Sequence, residues 1–173
     1  MDRRSIITVL ASLGAAIALM RCAAPARVEV RGRPADFTLD ALVLNPDPAG
    51  APRWRRPARY IVTADGELRV ALGPGVSRRT IPRLARTLER DQLDRLWTLA
   101  REAGLAEPDG AWSIEWGETW SAPAGEASAV ITISANGRRY HNGVAMGASS
   151  GLGAPRVEAL LDALGELAWV PEG

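Results

Sequence analysis

Lysine is missing from this 173-residue chain: all 21 basic side chains are arginine. That excludes Schiff-base chemistry and a Walker-type phosphate loop, both of which need a lysine amine. Together with 17 glycines, 12 prolines and abundant alanine, the missing lysine reads as a GC-rich coding bias. Cysteine occurs once, so an intramolecular disulfide and a zinc ribbon are excluded. Histidine occurs once, which excludes His-rich metal sites. Phenylalanine also occurs once, against six tryptophans. The remainder is ordinary for a folded domain, with 47% hydrophobic and 24% charged residues. The length suits one domain behind an export segment.

Charge is unevenly distributed around a formal net of +1. Residues 27–101 hold fifteen arginines against nine acids, and residues 102–173 hold three against ten. From residue 27 onward the chain is nearly neutral, which argues against nucleic acid as a partner. The asymmetry reads as two halves that neutralise each other on packing, or as a basic face toward anionic lipid or an acidic partner.

The N-terminus reads as an address. Asp2-Arg3-Arg4-Ser5 precedes fifteen uncharged residues, Ile6 to Met20, closed by Arg21. A charged start and a short apolar run describe a secretory signal. The run is shorter than the ~20 residues of a spanning helix, though a retained anchor stays open. Arg3-Arg4 followed by Ile6-Ile7 resembles a twin-arginine export signal, which implies passage in the folded state; the Sec route is the alternative. Ala24-Pro25-Ala26 has the small-x-small form of a cleavage site. Cys22, just past the apolar run, resembles the lipidated cysteine of bacterial lipoproteins. Leu19 fits that motif, whereas Arg21 stands where it has a small residue. Three segments are expected: 1–26 as export signal or N-terminal membrane anchor, 27–57 as an irregular Pro- and Arg-rich lead-in with one short strand at Val28–Val30, and 58–173 as a single α+β domain.

Within that domain, Tyr60-Ile61-Val62-Thr63 and Leu68, Val70 and Leu72 flank Asp65-Gly66, which predicts a hairpin with a two-residue type I′ turn. Pro46, Pro48, Gly50, Pro52 and Pro57 mark 45–57 as a loop, with Trp54 tucked against the core. A strand is expected near 83–88, in the most basic stretch of the chain. Leu93, Leu96, Trp97 and Ala100 share a helical face, so Asp91 to Ala103 is expected to be a helix ended by Gly104. Val130 to Ile133, Asn136-Gly137 and Tyr140 predict a second hairpin. Pro155 opens a last helix with Val157, Leu160, Leu161 and Leu164 inside. The expected architecture is α+β: an antiparallel sheet of four to six strands with two helices on one face, built as two hairpin–helix halves.

Catalytic patterns are thin. Gly147-Ala148-Ser149-Ser150-Gly151 has the letters of a nucleophile elbow, but the only histidine, His141, precedes the serine. His141 reads as a strand-end residue. Gly151-Leu152-Gly153 has Arg156 where a dinucleotide fingerprint has its third glycine, so no cofactor is expected. Trp112, Trp116 and Trp120 recur every four residues, and strand geometry would put them with Ile114 on one face. Glu115 and Glu118 lie among them. Such a stripe covers a core edge, or it stacks on sugar rings or anchors a partner. Two carboxylates beside it leave a glycosidase as an alternative. The expectation is an exported protein of the periplasm or the outer face of a membrane, a non-enzymatic binding or interaction module. Its partner would be a protein or glycan of the cell envelope, with membrane contact through a retained N-terminal segment. The alternative is a cell-wall glycan binder or weak glycosidase using Trp112 to Trp120. An inhibitor of an extracellular enzyme is a third reading, for which the residues offer no handle.

Overall fold

The structure is a computed structural model that describes residues 32–115, 120, 123–147 and 153–171. The export segment with Cys22, the strand expected at Val28–Val30, Trp116, Glu118, Ser149 and Gly151 lie outside the described residues.

Among the described residues, six strands form one antiparallel sheet. They are β1 (Thr38–Leu44), β2 (Ala58–Val62), β3 (Glu67–Leu72), β4 (Arg83–Thr87), β5 (Ser128–Ala135) and β6 (Arg138–Ala145). Their order across the sheet is β4-β3-β2-β1-β5-β6, and every neighbouring pair is antiparallel. Two helices, α1 (Arg90–Glu102) and α2 (Ala154–Leu167), complete an α+β fold. The expected division at residue 58 does not match the sheet. β1 lies between β2 and β5, so part of the expected lead-in is a central strand. The alternation that marks a half-buried strand is blurred there, because Leu42 and Leu44 put apolar side chains on the second face as well.

The hairpins differ in a way their turn residues explain. At the second, Asn136 and Gly137 both have positive φ (55° and 68°), and Ala135 pairs with Arg138. This is the two-residue type I′ turn that Asn-Gly favours. Asp36, just ahead of β1, accepts the N–H groups of Asn136 at 2.8 Å and Gly137 at 2.6 Å. At the first hairpin only Gly66 is left-handed (φ 91°), while Asp65 is not. A type I′ turn needs both, so the expected two-residue turn gives way to a three-residue loop. It is closed by Thr63 N–H to Glu67 O at 3.0 Å and Gly66 N–H to Thr63 O at 3.0 Å.

Helix α1 starts on a reciprocal cap: Glu89 accepts from the Gln92 backbone, and Gln92 Oε1 accepts from Glu89 N–H at 2.9 Å. Gly104, with φ 71°, follows its end. Leu93, Leu96, Trp97 and Ala100 are its buried stripe, and Val157, Leu160, Leu161 and Leu164 lie in that of α2. These join one face of the sheet (Leu39, Ala41, Val43, Tyr60, Val62, Ile131 and Ile133) in a single core. Phe37 meets Trp97 edge-on there, with ring centroids 5.3 Å apart. Loop 45–57 is pinned to α2: Arg53 Nε donates to Asp162 at 3.0 Å, and Trp54 packs against the core. The hairpin–connection–helix plan thus occurs twice, with β4 added in the first half.

The two sheet edges are treated differently. Beyond β6, residues 112–114 continue the pairing: Ile114 N–H donates to His141 O and Gly143 N–H to Trp112 O, both at 2.9 Å. The outer strand β4 carries Arg83 and Arg86, charges that oppose edge-to-edge pairing with another chain. Among the described residues, no helix is long and apolar enough to cross a membrane.

Candidate functional site

Strand alternation sends every second side chain away from the helices. On that second face the register builds rows across the sheet. Asp40, Thr132 and His141 form one row, on β1, β5 and β6. Arg59, Leu42, Val130 and Gly143 form the next, on β2, β1, β5 and β6. No helix among the described residues covers these side chains, yet Leu42 is only 6% exposed and Val130 9%. Two walls account for this. On the β2 side stands the loop through Ser77 and Arg78. Arg59 ties it down by donating to the Arg78 carbonyl and, at 2.9 Å, to the Thr80 carbonyl. On the β6 side stand Ile114, Glu115 and Trp120. Between the walls lies a groove of about 810 Å³. That volume is within the range of ligand pockets, roughly 300–1,000 Å³.

Gly143 makes the second wall possible. A Cβ there would overlap the Trp120 ring, so only glycine lets the indole lie on the sheet. The groove floor therefore joins two leucine- and valine-type surfaces to an aromatic face.

Its polar groups are ordered by specific bonds. Arg59 holds Asp40 at two points, Nε to Oδ1 at 3.1 Å and a terminal nitrogen to Oδ2 at 2.7 Å. The hydrogen bond to Asp40 raises the guanidinium's pKa further above its ordinary value. Thr132 Oγ1 lies 3.0 Å from His141 Nδ1. Partial burial first, then the charges of Arg139 and Arg78, push the His141 pKa below its ordinary value. Both causes favour the neutral imidazole over the charged one. With both Asp40 oxygens bound to Arg59, that carboxylate orders the groove rather than orienting the histidine. The arrangement suits binding: an apolar floor, an aromatic wall and a few fixed polar groups.

The structure separates the tryptophans that the four-residue spacing groups together. Trp120, Glu115 and Ile114 line the groove. Trp112 sits in a turn, donates Nε1–H to the Ala103 carbonyl at 3.2 Å and packs against the helix-side core. It lines a different concavity of about 630 Å³, with Arg101, Glu107 and Arg156. Strand alternation does not extend back into that turn, so the expected common face does not include Trp112. Sequence reasoning missed Leu42, Arg59, Asp40 and Thr132 as groove residues. β1 carries no clean alternation to announce Asp40 and Leu42, and the juxtaposition of all four needs the β1 pairing. His141, read as a strand-end residue, belongs to the same groove.

Among the described residues, no group of three or more His, Cys, Asp or Glu could hold a metal ion. No protein-family model matches the chain, and no curated protein sequence matches it.

Proposed function

We propose that this chain is an exported protein of the bacterial cell envelope, a non-enzymatic binding module that takes its ligand in the groove opposite the helices. The observation that carries this reading is the walled apolar floor. Leu42 and Val130 are nearly buried on the face that no helix among the described residues covers, beneath a groove of about 810 Å³. The export half of the reading rests on the twin-arginine-like and apolar residues 3–20, and it places the module in the periplasm or on the outer face of a membrane. A glutamate at Val130 would put a charge on the floor. Titration of the full chain with an extract of its native envelope, followed by indole emission, tests the reading. A saturable shift lost in Val130→Glu, with the far-UV circular dichroism unchanged, is expected. An identical response from Val130→Glu, or turnover of a component of the extract, would overturn it.

A second reading keeps the groove and changes the ligand to cell-wall glycan. It is favoured by Trp120 and Glu115 standing on the same wall, an indole face for a sugar ring and a carboxylate for its hydroxyls. Purified glycan strands that quench Trp120 emission, with loss of quenching in Trp120→Ala, are its expected signature. Weak glycosidase activity has less support, because one groove carboxylate, Asp40, is held at both oxygens by Arg59.

A further inference from the structure

A second unusual surface lies at β4, the sheet edge farthest from β6. Between Glu67 and Glu89 the chain holds five arginines and no acid. The same stretch carries three of the five large apolar side chains that stand exposed among the described residues. Ile81 is 87% exposed, and Leu72 and Leu84 are about half exposed.

Ile81 does not owe its exposure to a loose loop. Thr80 N–H donates to the Ser77 carbonyl, and Thr80 Oγ1 accepts from Ser77 N–H, both at 3.0 Å. Arg59 binds the carbonyls of Arg78 and Thr80. Pro82, next along the chain, is buried. Between these fixed points the isoleucine is held out toward solvent.

Three of the five arginines are engaged elsewhere. Arg69 is bound to Glu67 at 2.8 Å, Arg86 lies over the Trp169 ring at 5.0 Å, and Arg78 lines the groove. Arg79 and Arg83 are exposed, and neither has an ion pair among the described residues. They stand two residues before and two residues after Ile81, and Leu84 follows Arg83 on the outer strand.

A protein or a lipid bilayer could meet a basic and apolar surface, and the layout favours the bilayer. A protein interface has a contiguous apolar centre depleted of charge. Here Ile81 and Leu84 alternate with Arg79 and Arg83, and none of the four lines either concavity described above. A headgroup layer accepts that pattern, because an apolar side chain enters the acyl boundary singly while an arginine beside it reaches a phosphate. Residues 6–20 already have the composition of a segment that engages a membrane.

We infer that the β4 edge and the loop before it form a contact surface for an anionic membrane. Ile81 enters the headgroup–acyl boundary with Leu84 beside it, and Arg79 and Arg83 bind lipid phosphates. This surface is separate from the groove and independent of its ligand.

Amide hydrogen exchange of the full chain, read by mass spectrometry over residues 73–88, tests this. The readout is local, so attachment of residues 1–26 to a vesicle does not obscure it. The probes are vesicles of phosphatidylcholine alone and of an equal mixture with phosphatidylglycerol. Slower exchange at residues 77–84 is expected with the mixed vesicles and no change with the neutral ones. Exchange in α1 should be the same under all conditions. Arg79→Gln with Arg83→Gln alters only exposed side chains and should weaken the protection about fivefold for each arginine. Ile81→Ser should weaken it as well. Equal protection by both kinds of vesicle, or protection unchanged in the arginine or the Ile81 variant, would overturn the inference. Protection by polyglutamate with none by the mixed vesicles would also overturn it, and would assign the surface to an acidic protein.

Discussion

The two faces of one sheet are made by the same strands and differ in almost everything else. Ile131 and Thr132 are neighbours in sequence, yet Ile131 is sealed under the helices while Thr132 bonds His141 in the groove. On the helix side, side chains of α1 and α2 close the space completely. On the other side, a loop and an edge segment cover the floor and leave a trough. Identical backbone thus supports a core on one face and a recessed, chemically mixed surface on the other. Stability should reside mainly in the first and binding in the second.

The sharpest break of that comparison is a pair of adjacent substitutions. Ile131→Ala is expected to cost about 2–5 kcal/mol in urea unfolding, through lost burial and the cavity left behind. Thr132→Ala is expected to cost about 1 kcal/mol or less, the value of one partly exposed hydrogen bond. Comparable losses at the two positions would erase the distinction between the faces. A smaller effect is expected from Gly143→Ala. Its methyl group would drive the Trp120 ring off the sheet. Overpacking of this kind costs about 1–3 kcal/mol, and indole emission should move to longer wavelength as the ring reaches water.

The comparison extends to pH. His141, on the groove face, has a pKa below the ordinary 6.5. As pH falls through 6.5 the unfolded chain takes up this proton before the folded protein does, so stability drops on acidification until the folded-state pKa is passed. His141→Gln should flatten that part of the stability–pH curve. Tyr60, on the helix face, behaves oppositely, since burial pushes its phenol up to about 12. Its contribution is present below pH 10 and is lost as pH rises from there through about 12. Tyr60→Phe should remove the alkaline loss attributable to this residue. The smallest effect is expected at Asp36, whose two backbone hydrogen bonds hold its carboxyl below the usual range. Asp36→Asn should lessen the stability lost as pH falls through that lowered pKa, visible as a shallower acid limb in thermal melts.

Much of this architecture is legible in the amino-acid sequence. Asn136-Gly137 marks its turn because both residues tolerate left-handed backbone. The stripes Leu93–Ala100 and Val157–Leu164 mark helices because apolar side chains at three- and four-residue spacing share one face. What stays hidden depends on long-range pairing. β1 lacks a clean alternation because its second face is also covered, by walls that come from residues 77–80 and from Ile114, Glu115 and Trp120. The groove follows β1 out of sight, since its rows exist only once β1 is set between β2 and β5. The tryptophan spacing misleads for a local reason: a period implies a common face only along an uninterrupted strand, and Trp112 stands in a turn. Asp65-Gly66 likewise marks the position of its hairpin but not the loop length, which Asp65 sets by staying out of the left-handed region.

The most direct test of ligand capture in the groove is a map of backbone amide shifts on titrating the isotope-labelled chain with the lipid and glycan fractions of its native envelope. Beyond the bilayer contact at 79–84, the expected result is perturbation confined to residues 40–44, 77–80, 114, 115, 120, 128–132 and 139–143. Perturbations gathered instead on α1 and α2, or around Trp112 and Arg156, would contradict it.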